Sequence, residues 1–485
     1  MINGIVAVDN NYGFSKDGSI PWHIAEDMKY FNEITTTRSD ENCELQNVVI
    51  MGRKTWDSLP KSFRPLSSRV NIVVSSTLEC EYPHVFPTIE TAIEKALHMK
   101  LSKEINEIFI IGGSSLYEHL LNSVLLNKFY VSKIGHSYDC DIKLNEKLLF
   151  NKCYSDMEQL TKYNVVDKKN NVDVSIENYV FVNKNDFNGE QQYLKLMMDT
   201  LLTGEYRKTR NAYTWSKFAN QIKFNLDDGF PMTTTRKTFI KGIFYELMMF
   251  MLGESNTHKW LLSKNVKIWD LNTNRQFLDS VGLAQYEEGD LGYLYGMVWR
   301  HFGVDYKGMH ENYDGKGFDQ LANVIKLLKT DPHSRRILMT SYDPSKTDMA
   351  PLYPCHSLVL QFYVEDTNKL SVHMYQRSAD LFLGLNTNIV STSMIVHVLC
   401  LLINSDDEYN GPKFKPGNVT ISLGDYHIYD THIDSVLTQL SRNPLKYPSM
   451  TINKTSIQSV SELELSDVEV KNYEHHGIVR ADMIA

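Results

Sequence analysis

A cysteine and an arginine stand at the ends of a predicted hairpin. Cys355 occurs in the tripeptide PCH, and Arg377 closes an alternating strand further along the chain. The period-two pattern of apolar residues in 359–363 and 370–374 predicts two paired strands, so the two side chains are expected to meet. A guanidinium lowers the pKa of a neighbouring thiol, and the thiolate is the nucleophilic form. The pattern therefore favours a nucleophile, although a single cysteine is more often a small core residue.

A carboxylate stands on the apolar face of a predicted helix near the N-terminus. Asp27 is spaced three or four residues from Ile24 and Phe31 and adjoins Met28 on the same face. Burial there would raise the pKa of the carboxyl group and suit it to bind a ligand or to help deliver a proton. An exposed helical aspartate beside Glu26 is the alternative that the spacing leaves open.

Three predicted strands end in residues that suit phosphate binding. Glycines let the backbone approach a ligand, and the start of a following helix offers free N–H groups to a phosphate. The same residues are common in turns and helix caps, and the complete GxGxxG fingerprint is absent. The three strand ends are Gly52-Arg53-Lys54-Thr55, Ser75-Ser76-Thr77 and Gly112-Gly113-Ser114.

These residues require two domains to position them. Residues 1–183 alternate short β-branched runs with helix-like segments, which is typical of an α/β sheet with mainly parallel strands. A short polar linker at 184–189 precedes residues 190–485, which have an α+β character. The chain of 485 residues is long enough for two cores. In the second domain, helices are predicted at 191–203, 239–252, 257–263, 318–329, 391–404 and 429–442.

The composition is that of an ordinary globular protein, with 42% hydrophobic and 22% charged residues. A formal net charge of -9 gives no electrostatic reason to expect a nucleic-acid or membrane partner. The longest apolar run, near 393–403, is short and contains His397, so no membrane span is predicted. Six cysteines show no CxxC or metal-ligand spacing. The simplest interpretation is a reduced, cytoplasmic protein that binds no metal.

Residues 2–183 resemble the dihydrofolate reductase family in the stretches IVAVDNNYGF, IPWHIAEDMKYF, VVIMGRKTWDSL, RPLSSRVNIVVSS and FIIGGSSLY. The resemblance implies that Asp27 binds the pteridine and assists its protonation, that Trp22 holds a water nearby, and that Phe31 packs on the folate. Arg69 would pair with the folate's glutamate carboxylate. Ser132 stands where the family often has threonine. The implied NADPH site is lined by Ala7, Gly13, Arg53, Lys54, Thr55, Ser75, Ser76, Gly112, Gly113, Ser114 and Tyr117.

The second domain resembles the thymidylate synthase family in four motifs, DPHSRR, PCH, YQRSADLFLGL and GDYHIY. The resemblance implies that Cys355 adds to C6 of dUMP, so that C5 attacks the one-carbon unit of 5,10-methylenetetrahydrofolate. Arg377 would help to hold the thiolate. Glu246 would organise waters for proton transfer, and Tyr295 would assist removal of the C5 proton. Asn388 would pair with uracil, because an amide offers both a donor and an acceptor, whereas a carboxylate there would suit cytosine.

The same resemblance assigns the remaining contacts. Trp269 and Asp380 would contact the folate, and residues 483–485 resemble the tail that closes over the site. Two arginines would come from a partner subunit, which implies a homodimer formed through the synthase domain. The segment after residue 209 lacks the family's glycines and is one residue short, so Arg207 is an alternative to Arg210. The implied dUMP site comprises Arg210, Arg335, Arg336, Gln376, Arg377, Ser378, Asn388, His427 and Tyr429, with Arg335 and Arg336 from the partner.

Together, the two resemblances predict a dihydrofolate reductase-like α/β domain followed by a thymidylate synthase-like α+β domain. The first would reduce with NADPH the dihydrofolate that the second produces. One alternative is a dCMP hydroxymethylase, which Asn388 disfavours. Another is a nucleotide- or RNA-binding regulator with a degraded synthase site. Only the altered Arg210 segment supports that alternative, and Cys355, Arg377 and Asp27 argue against it.

Overall fold

The computed structural model describes residues 1–38, 44–78, 84–209 and 212–484, and only the backbone of residues 157 and 158. Contacts divide the chain into two compact units. The first comprises Met1–Phe187 and Asp434–Asn443, and the second comprises Asn188–Ile433 and Pro444–Ala485. Arg210, the predicted phosphate ligand, lies outside the described residues.

The first unit is built on an eight-stranded sheet in the order β5-β4-β3-β6-β1-β7-β10-β9. The pairs from β5 to β7 are parallel, and β10 and β9 add an antiparallel edge. A small ribbon pairs β2 with β8. The strands are β1 (Ile2–Val8), β2 (Gly13–Ser15), β3 (Asn47–Gly52), β4 (Arg69–Val74), β5 (Val85–Phe86), β6 (Ile108–Gly112), β7 (Leu126–Ile134), β8 (Ile142–Lys143), β9 (Cys153–Asp167) and β10 (Val172–Asn183). The helices are α1 (Ala25–Thr36), α2 (Arg53–Ser58), α3 (Ile89–Leu101), α4 (Ser114–Asn122) and α5 (Glu146–Lys152).

The parallel pairing explains the apolar runs of this unit. β3 and β6 are buried almost throughout, as expected for strands covered on both faces. Because β4, β3 and β6 are parallel neighbours, their carboxyl ends meet at one edge of the sheet. That edge carries the three predicted phosphate-binding turns, and ligands of open α/β sheets bind at this edge. The α/β fold predicted for this part of the chain is confirmed.

The second unit contains a six-stranded sheet in the order β11-β12-β16-β15-β14-β13, with β15 and β16 parallel and the other pairs antiparallel. A small ribbon pairs β17 with β18. The strands are β11 (Glu205–Lys208), β12 (Tyr213–Asn225), β13 (Leu338–Thr340), β14 (Val359–Val364), β15 (Lys369–Asp380), β16 (Lys415–Tyr429), β17 (Ser449–Ile452) and β18 (Val468–Lys471). The helices in order are α6 (Gly189–Thr203), α7 (Ile240–Met251), α8 (Thr257–Trp260), α9 (Asp270–Thr273), α10 (Arg275–Ser280), α11 (Gly296–Arg300), α12 (Gln320–Thr330) and α13 (Gly384–Asn404). The next helix, α14 (Ile433–Leu440), belongs to the first unit from Asp434 onward.

Helix α13 forms the centre of the second unit. Among the described residues it is the one helix long and apolar enough to cross a membrane, but most of its length is buried inside the protein. It begins seven residues before the predicted start at 391. Asn386 and Asn388, which precede the predicted start, are buried within the helix. The prediction for 429–442 also starts too early. Strand β16 continues to Tyr429, and α14 begins at Ile433 after a 3₁₀ turn.

Candidate active sites

Cys355 lies just before β14, beside the end of β15. The backbone N–H of Arg377 donates to the carbonyl of Cys355 at 2.9 Å. Nε of Arg377 donates to the carbonyl of Pro354 at 3.1 Å. The hairpin formed by β14 and β15 therefore brings the cysteine and the arginine together, as the alternating pattern predicts.

The thiol of Cys355 faces the hydroxyl of Tyr295. Sγ lies 3.5 Å from Tyr295 Oη, and that oxygen also accepts the backbone N–H of Cys355 at 3.1 Å. The Tyr295 ring stacks against Phe250 and His356, with ring centres 4.6 Å apart in both pairs. The φ angle of Tyr295 is 42°, in the left-handed region. Strained residues of this kind persist where the surroundings hold them, often at functional sites.

Glu246 is the buried acid of the same cluster. It lies in α7 and accepts a hydrogen bond from Trp269 Nε1 at 2.7 Å. Burial raises the pKa of Glu246 to about 7, although the bond from Trp269 lowers it in part. The Trp269 and Tyr295 ring centres are 6.2 Å apart, which ties the acid to the tyrosine beside the thiol. An acid with such a pKa can accept and release protons near neutral pH.

Several influences act on the pKa of the Cys355 thiol. Burial raises it most, and the nearby Glu246 raises it further, whereas Tyr295 and Arg377 lower it. The lowering by Arg377 that the sequence predicts is present, but burial outweighs it and the net direction is upward. Formation of the thiolate therefore depends on the contacts with Tyr295 and Arg377.

Several predicted nucleotide contacts lie on β15, β16 and α13 near this cluster. Gln376 is buried, and its Nε2 donates to the carbonyl of Ser378 at 3.1 Å. Within the described residues, Oε1 of Gln376 has no hydrogen-bond partner. A buried polar atom of this kind suits a site that a polar ligand completes. Asn388 is buried near the start of α13, beside Gly384.

His427 and Asp380 face each other across two parallel strands. Asp380 is the register partner of His427 in the ladder of β15 and β16. Nδ1 of His427 lies 2.8 Å from Asp425 Oδ1, and its ring packs edge to face on Tyr429 with centres 5.2 Å apart. Oδ1 of Asp380 accepts the backbone N–H of Phe382 at 2.9 Å. The structure therefore groups the predicted deoxyribose and folate contacts at neighbouring strand ends.

The other arginines that are predicted to bind the nucleotide phosphate, and that the structure describes, do not lie close to Cys355. Arg335 and Arg336 are exposed just before β13, and in the described part of the chain neither has a hydrogen bond to the Cys355 cluster. Arg207, the alternative to Arg210, is exposed on β11 and pairs with Glu205. Of the predicted arginines that the structure describes, it places Arg377 alone beside the thiol.

Asp27 of the first unit is buried in the first turn of α1. Burial raises the pKa of Asp27 to about 6, and the side chains of Ser132 and Trp22 lower it in part. Nε1 of Trp22 is buried without a well-aligned acceptor among the described residues, so it retains a donor for a water or a ligand. Met28 is 52% exposed, so the apolar face predicted for α1 is narrower than its spacing suggests.

Arg69 is held rigidly beside Phe31. Its Nη1 donates to Thr35 Oγ1 at 2.7 Å, and its Nη2 donates to Asn32 Oδ1 at 3.1 Å. The guanidinium carbon lies 5.7 Å from the centre of the Phe31 ring. A buried, oriented guanidinium next to an aromatic ring suits a ligand that carries both a carboxylate and a flat apolar part.

Gly112 and the start of α4 form a cradle at the carboxyl edge of the sheet. Gly112 has a φ of 139°, and a Cβ there would lie 2.8 Å from Thr55 Oγ1, so the position requires glycine. Gly113 stands at the N-terminal end of α4 and has no side chain that could cap the helix. The first N–H groups of α4 are therefore available to a phosphate. This cradle fits the diphosphate of a dinucleotide.

The other predicted dinucleotide contacts surround this cradle. Nη1 of Arg53 donates to Thr77 Oγ1 at 2.6 Å. Tyr117 is a buried residue of α4, and its Oη donates to the carbonyl of Ile5 at 2.7 Å. The remaining predicted members lie at or after the ends of β1, β3, β4 and β6 or in β2: Ala7, Gly13, Lys54, Ser75, Ser76 and Ser114.

Comparison with known proteins matches both halves of the chain. Residues 1–180 match the dihydrofolate reductase family model, and residues 191–485 match the thymidylate synthase family model. Bifunctional dihydrofolate reductase-thymidylate synthases of Zea mays and Arabidopsis thaliana are each 34% identical over 99% of this chain, covering 96% and 95% of their own lengths. The Plasmodium berghei protein of the same name is 33% identical over 98% of this chain and 94% of its own length.

The chain belongs to the bifunctional dihydrofolate reductase-thymidylate synthase family. It is therefore an enzyme with both activities, and the two predicted domain types are confirmed. Among the described residues, no group of three or more histidine, cysteine or acidic side chains is arranged to hold a metal ion.

The synthase site also contains residues for which the sequence predicted no role. His356 stacks on Tyr295 with its Nδ1 3.0 Å from Ser357 Oγ, and burial lowers the pKa of His356 to about 4. Its place in the PCH motif was the available signal. Phe250 supports the same tyrosine from α7, where it looks like any other core aromatic. Asp425 orients His427, and the GDYHIY motif was a signal for that pair.

Proposed function

We propose that the Cys355 cluster converts dUMP to dTMP with 5,10-methylenetetrahydrofolate, and that the Asp27 pocket reduces the resulting dihydrofolate with NADPH. The observation that carries the first assignment is the dual contact of Tyr295 Oη with the thiol and the backbone N–H of Cys355. The observation that carries the second is the buried Asp27, whose pKa of about 6 keeps a proton available near neutral pH.

In the synthase reaction, the thiolate of Cys355 adds to C6 of uracil, and the electrons of the C5–C6 double bond make C5 nucleophilic. Arg377 stabilises the thiolate and contacts the nucleotide phosphate. Asn388 recognises the uracil amide edge, and Glu246 and Tyr295 direct proton transfers through bound water. When bound, methylenetetrahydrofolate supplies the one-carbon unit and the hydride that completes the methyl group.

The remaining residues of the synthase site bind the two substrates, dUMP and the folate. Gln376, Ser378, His427 and Tyr429 hold dUMP, and its phosphate also meets Arg210, for which the ion-paired Arg207 is the alternative. Trp269 and Asp380 line the folate site.

In the reductase reaction, Asp27 binds the pteridine and helps to protonate it, while Trp22 positions a water nearby. When bound, NADPH supplies the hydride. Arg69 and Phe31 hold the glutamate and aromatic parts of the folate. The Gly112 cradle fits the diphosphate, and Arg53 and Lys54 suit the additional phosphate that distinguishes NADPH from NADH. The other contacts assigned to NADPH are Ala7, Gly13, Thr55, Ser75, Ser76, Gly113, Ser114 and Tyr117.

Release of tritium from C5 of labelled dUMP tests the synthase assignment. Cys355→Ala is expected to abolish release, because no adduct forms at C6. Cys400→Ala is the matched control, since Cys400 is a buried cysteine of α13 outside the site. It is expected to retain release, and both variants are expected to oxidise NADPH with dihydrofolate normally. Release by Cys355→Ala at the wild-type rate would refute the assignment.

We propose that the enzyme is a homodimer through the outer face of the six-stranded sheet. Val359, Gln361 and Tyr363 alternate onto this face from β14, and Tyr363 is 68% exposed. Tyr375 of β15 stands opposite Val359, and Leu338 of β13 stands opposite Gln361. Exposed apolar side chains in a contiguous group are typical of a surface that another protein covers.

The dimer proposal also accounts for the two exposed arginines. Arg335 and Arg336 precede β13, next to this face, and would reach the phosphate of the partner's dUMP. Mixing Cys355→Ala subunits with Arg336→Ala subunits tests the arrangement. Half of the dimers would then be mixed, each with one intact site, so about a quarter of wild-type activity should return. No recovery, in mixtures shown by native mass spectrometry to exchange subunits, would contradict a shared site.

We further propose the domain limits 1–183 and 190–485 with a linker at 184–189, and a cytoplasmic location. The chemistry requires a free thiol at Cys355, and all four cysteines that the structure describes are free. A reducing compartment preserves that state. Neither nucleic acid nor a membrane has a role in the reaction. Fractionation of cells with an antibody to the protein tests the location.

A further inference from the structure

A fully buried histidine lies between the C-terminal segment and the synthase site. His432 is 1% exposed and follows β16 in the 3₁₀ turn before α14. Its ring packs on Tyr429, with centres 5.4 Å apart, and on Phe382, with centres 5.7 Å apart. Its Nδ1 lies 4.0 Å from Asp380 Oδ1, and no hydrogen-bond partner of Nδ1 is found among the described residues.

The other ring nitrogen of His432 holds the C-terminal segment. Nε2 lies 2.8 Å from the backbone carbonyl oxygen of Asp482. A carbonyl only accepts hydrogen bonds, so Nε2 is the donor. Asp482 is two residues from Ile484, the last described residue. The segment after β18 has no helix or strand, so individual contacts such as this one fix its path.

Backbone hydrogen bonds also hold the beginning of this segment. The backbone N–H of Lys237 donates to the carbonyl of Gly477, and that of His476 donates to the carbonyl of Thr234. His432 contacts the segment close to its end, just before residues 483–485, which would close over the site. The same ring touches Tyr429 and approaches Asp380, which are assigned to the nucleotide and the folate.

We infer that His432 is a positioning residue that anchors the closing tail to the wall of the folate site. The inference rests on the proposed roles of the tail and of Asp380. Because the ring is shielded from water, loss of the Nε2 donor leaves the Asp482 carbonyl without its partner, and the tail detaches more readily. The alternative is a core histidine that contributes to stability alone.

Susceptibility to carboxypeptidase Y tests the anchor without relying on turnover. His432→Phe keeps a ring but removes the donor, and His432→Gln keeps an N–H near the position of Nε2. His432→Asn carries a donor too short to reach Asp482, and it replaces His432→Phe if that variant does not fold. His397→Phe is the matched control, because His397 is a largely buried histidine that packs on Phe230 and not on the tail.

With dUMP and a non-reactive folate analogue present, His432→Phe is expected to lose residues 483–485 about five to ten times faster than the wild type, the size of one lost hydrogen bond. His432→Gln is expected to stay close to the wild type, and His397→Phe is expected to match it. Mass spectrometry measures the truncation. Equal truncation rates for all variants, with melting temperatures within a few degrees, would overturn the inference.

Kinetics provide a second readout that a purely structural role would not move. His432→Phe is expected to raise KM for methylenetetrahydrofolate about five- to tenfold and to change KM for dUMP little. In a chain that lacks residues 483–485, the same substitution is expected to have no further effect on folate affinity, measured by fluorescence quenching. If His432→Phe lowered the folate affinity by the same factor in the full-length and the truncated chain, action through the tail would be refuted. Failure of the proposed chemistry is distinguishable, because it would appear in the tritium assay while the protease result stands.

Discussion

Two buried aspartates of the first unit allow a test in which one kind of substitution has opposite effects. Burial raises the pKa of Asp27 from the ordinary 3.8 to about 6. The folded state therefore binds the proton more tightly than the unfolded state, and ionisation of Asp27 costs stability. At neutral pH the cost is about 3 kcal/mol. It develops as the pH rises from about 4 to about 6.

The pKa of Asp167 is shifted in the opposite direction, below its ordinary value. Burial alone would raise its pKa, but hydrogen bonds from Asn170, His23, Tyr138 and Lys169 lower it to about 2. The bonds from His23 N–H and the Tyr138 hydroxyl are both 2.9 Å long. Folding therefore favours the charged form, by about 2 kcal/mol above pH 4. This stabilisation is lost as the pH falls toward 2.

The isosteric change Asp27→Asn is therefore expected to stabilise the first unit at pH 7.5, by at most about 3 kcal/mol, and by less at pH 4.5. Asp167→Asn is expected to destabilise it by about 2 kcal/mol at both pH values, because four donors lose a charged acceptor. Urea unfolding measures both changes, and hydrogen exchange of β7 and β9 peptides assigns the transition to this unit.

The comparison between the two pH values decides the outcome. A stabilisation by Asp27→Asn that is equal at pH 4.5 and 7.5 would mean that its charge is not involved. Destabilisation at pH 7.5 would mean that the carboxylate is well solvated or paired in the folded state. Either result would also remove the reason for treating Asp27 as a proton source near neutral pH.

Three further predictions concern the sites. Tyr295→Phe is expected to slow the alkylation of Cys355 by iodoacetamide at pH 7 about tenfold or more, because the thiolate loses a hydrogen-bond donor. Tyr293→Phe is the control and should leave the rate unchanged, since the Tyr293 hydroxyl accepts from the backbone N–H of Gly303. Peptide mass spectrometry measures the alkylation rate of both variants. Glu246→Gln is expected to lower the rate of dTMP formation about a hundredfold, while the affinity for dUMP, measured by calorimetry, stays the same. Equal losses in the rate and in the affinity would contradict a proton-transfer role. Arg69→Lys is expected to raise KM for dihydrofolate at least about tenfold with kcat nearly unchanged, and a fall in kcat alone would argue against carboxylate binding.

The sequence predicted most of what local patterns determine. The alternation on either side of residues 365–368 predicted the hairpin, and the hairpin by itself brings Arg377 to Cys355. The β-branched runs of the first domain predicted its parallel strands, because strands buried on both faces have few polar residues. The helical spacing of Asp27 with Ile24 and Phe31 placed it on the apolar face of α1 but left an exposed aspartate as an alternative, and the structure shows that Asp27 is buried.

Features that depend on distant parts of the chain were not predictable in this way. The stacking of Tyr295 on Phe250 and His356 joins three segments that have no common pattern. The net rise in the pKa of Cys355 results from burial by all of its surroundings, whereas the sequence indicated only the influence of Arg377. The anchoring of Asp482 by His432 depends on where an irregular C-terminal segment returns, which no periodicity encodes.

The pairing of β12 with β16 has a consequence for synthesis on the ribosome. The last strand of the eight-stranded sheet ends at Asn183. That sheet can therefore form while most of the synthase sequence is still untranslated. Strand β12 follows soon afterwards, but its partner β16 emerges roughly two hundred residues later. A chain that stalls between these strands carries the reductase sheet together with an unpaired synthase strand edge, a template for aggregation. We therefore expect slow translation across this interval to lower the amount of synthase that the cell obtains from each message.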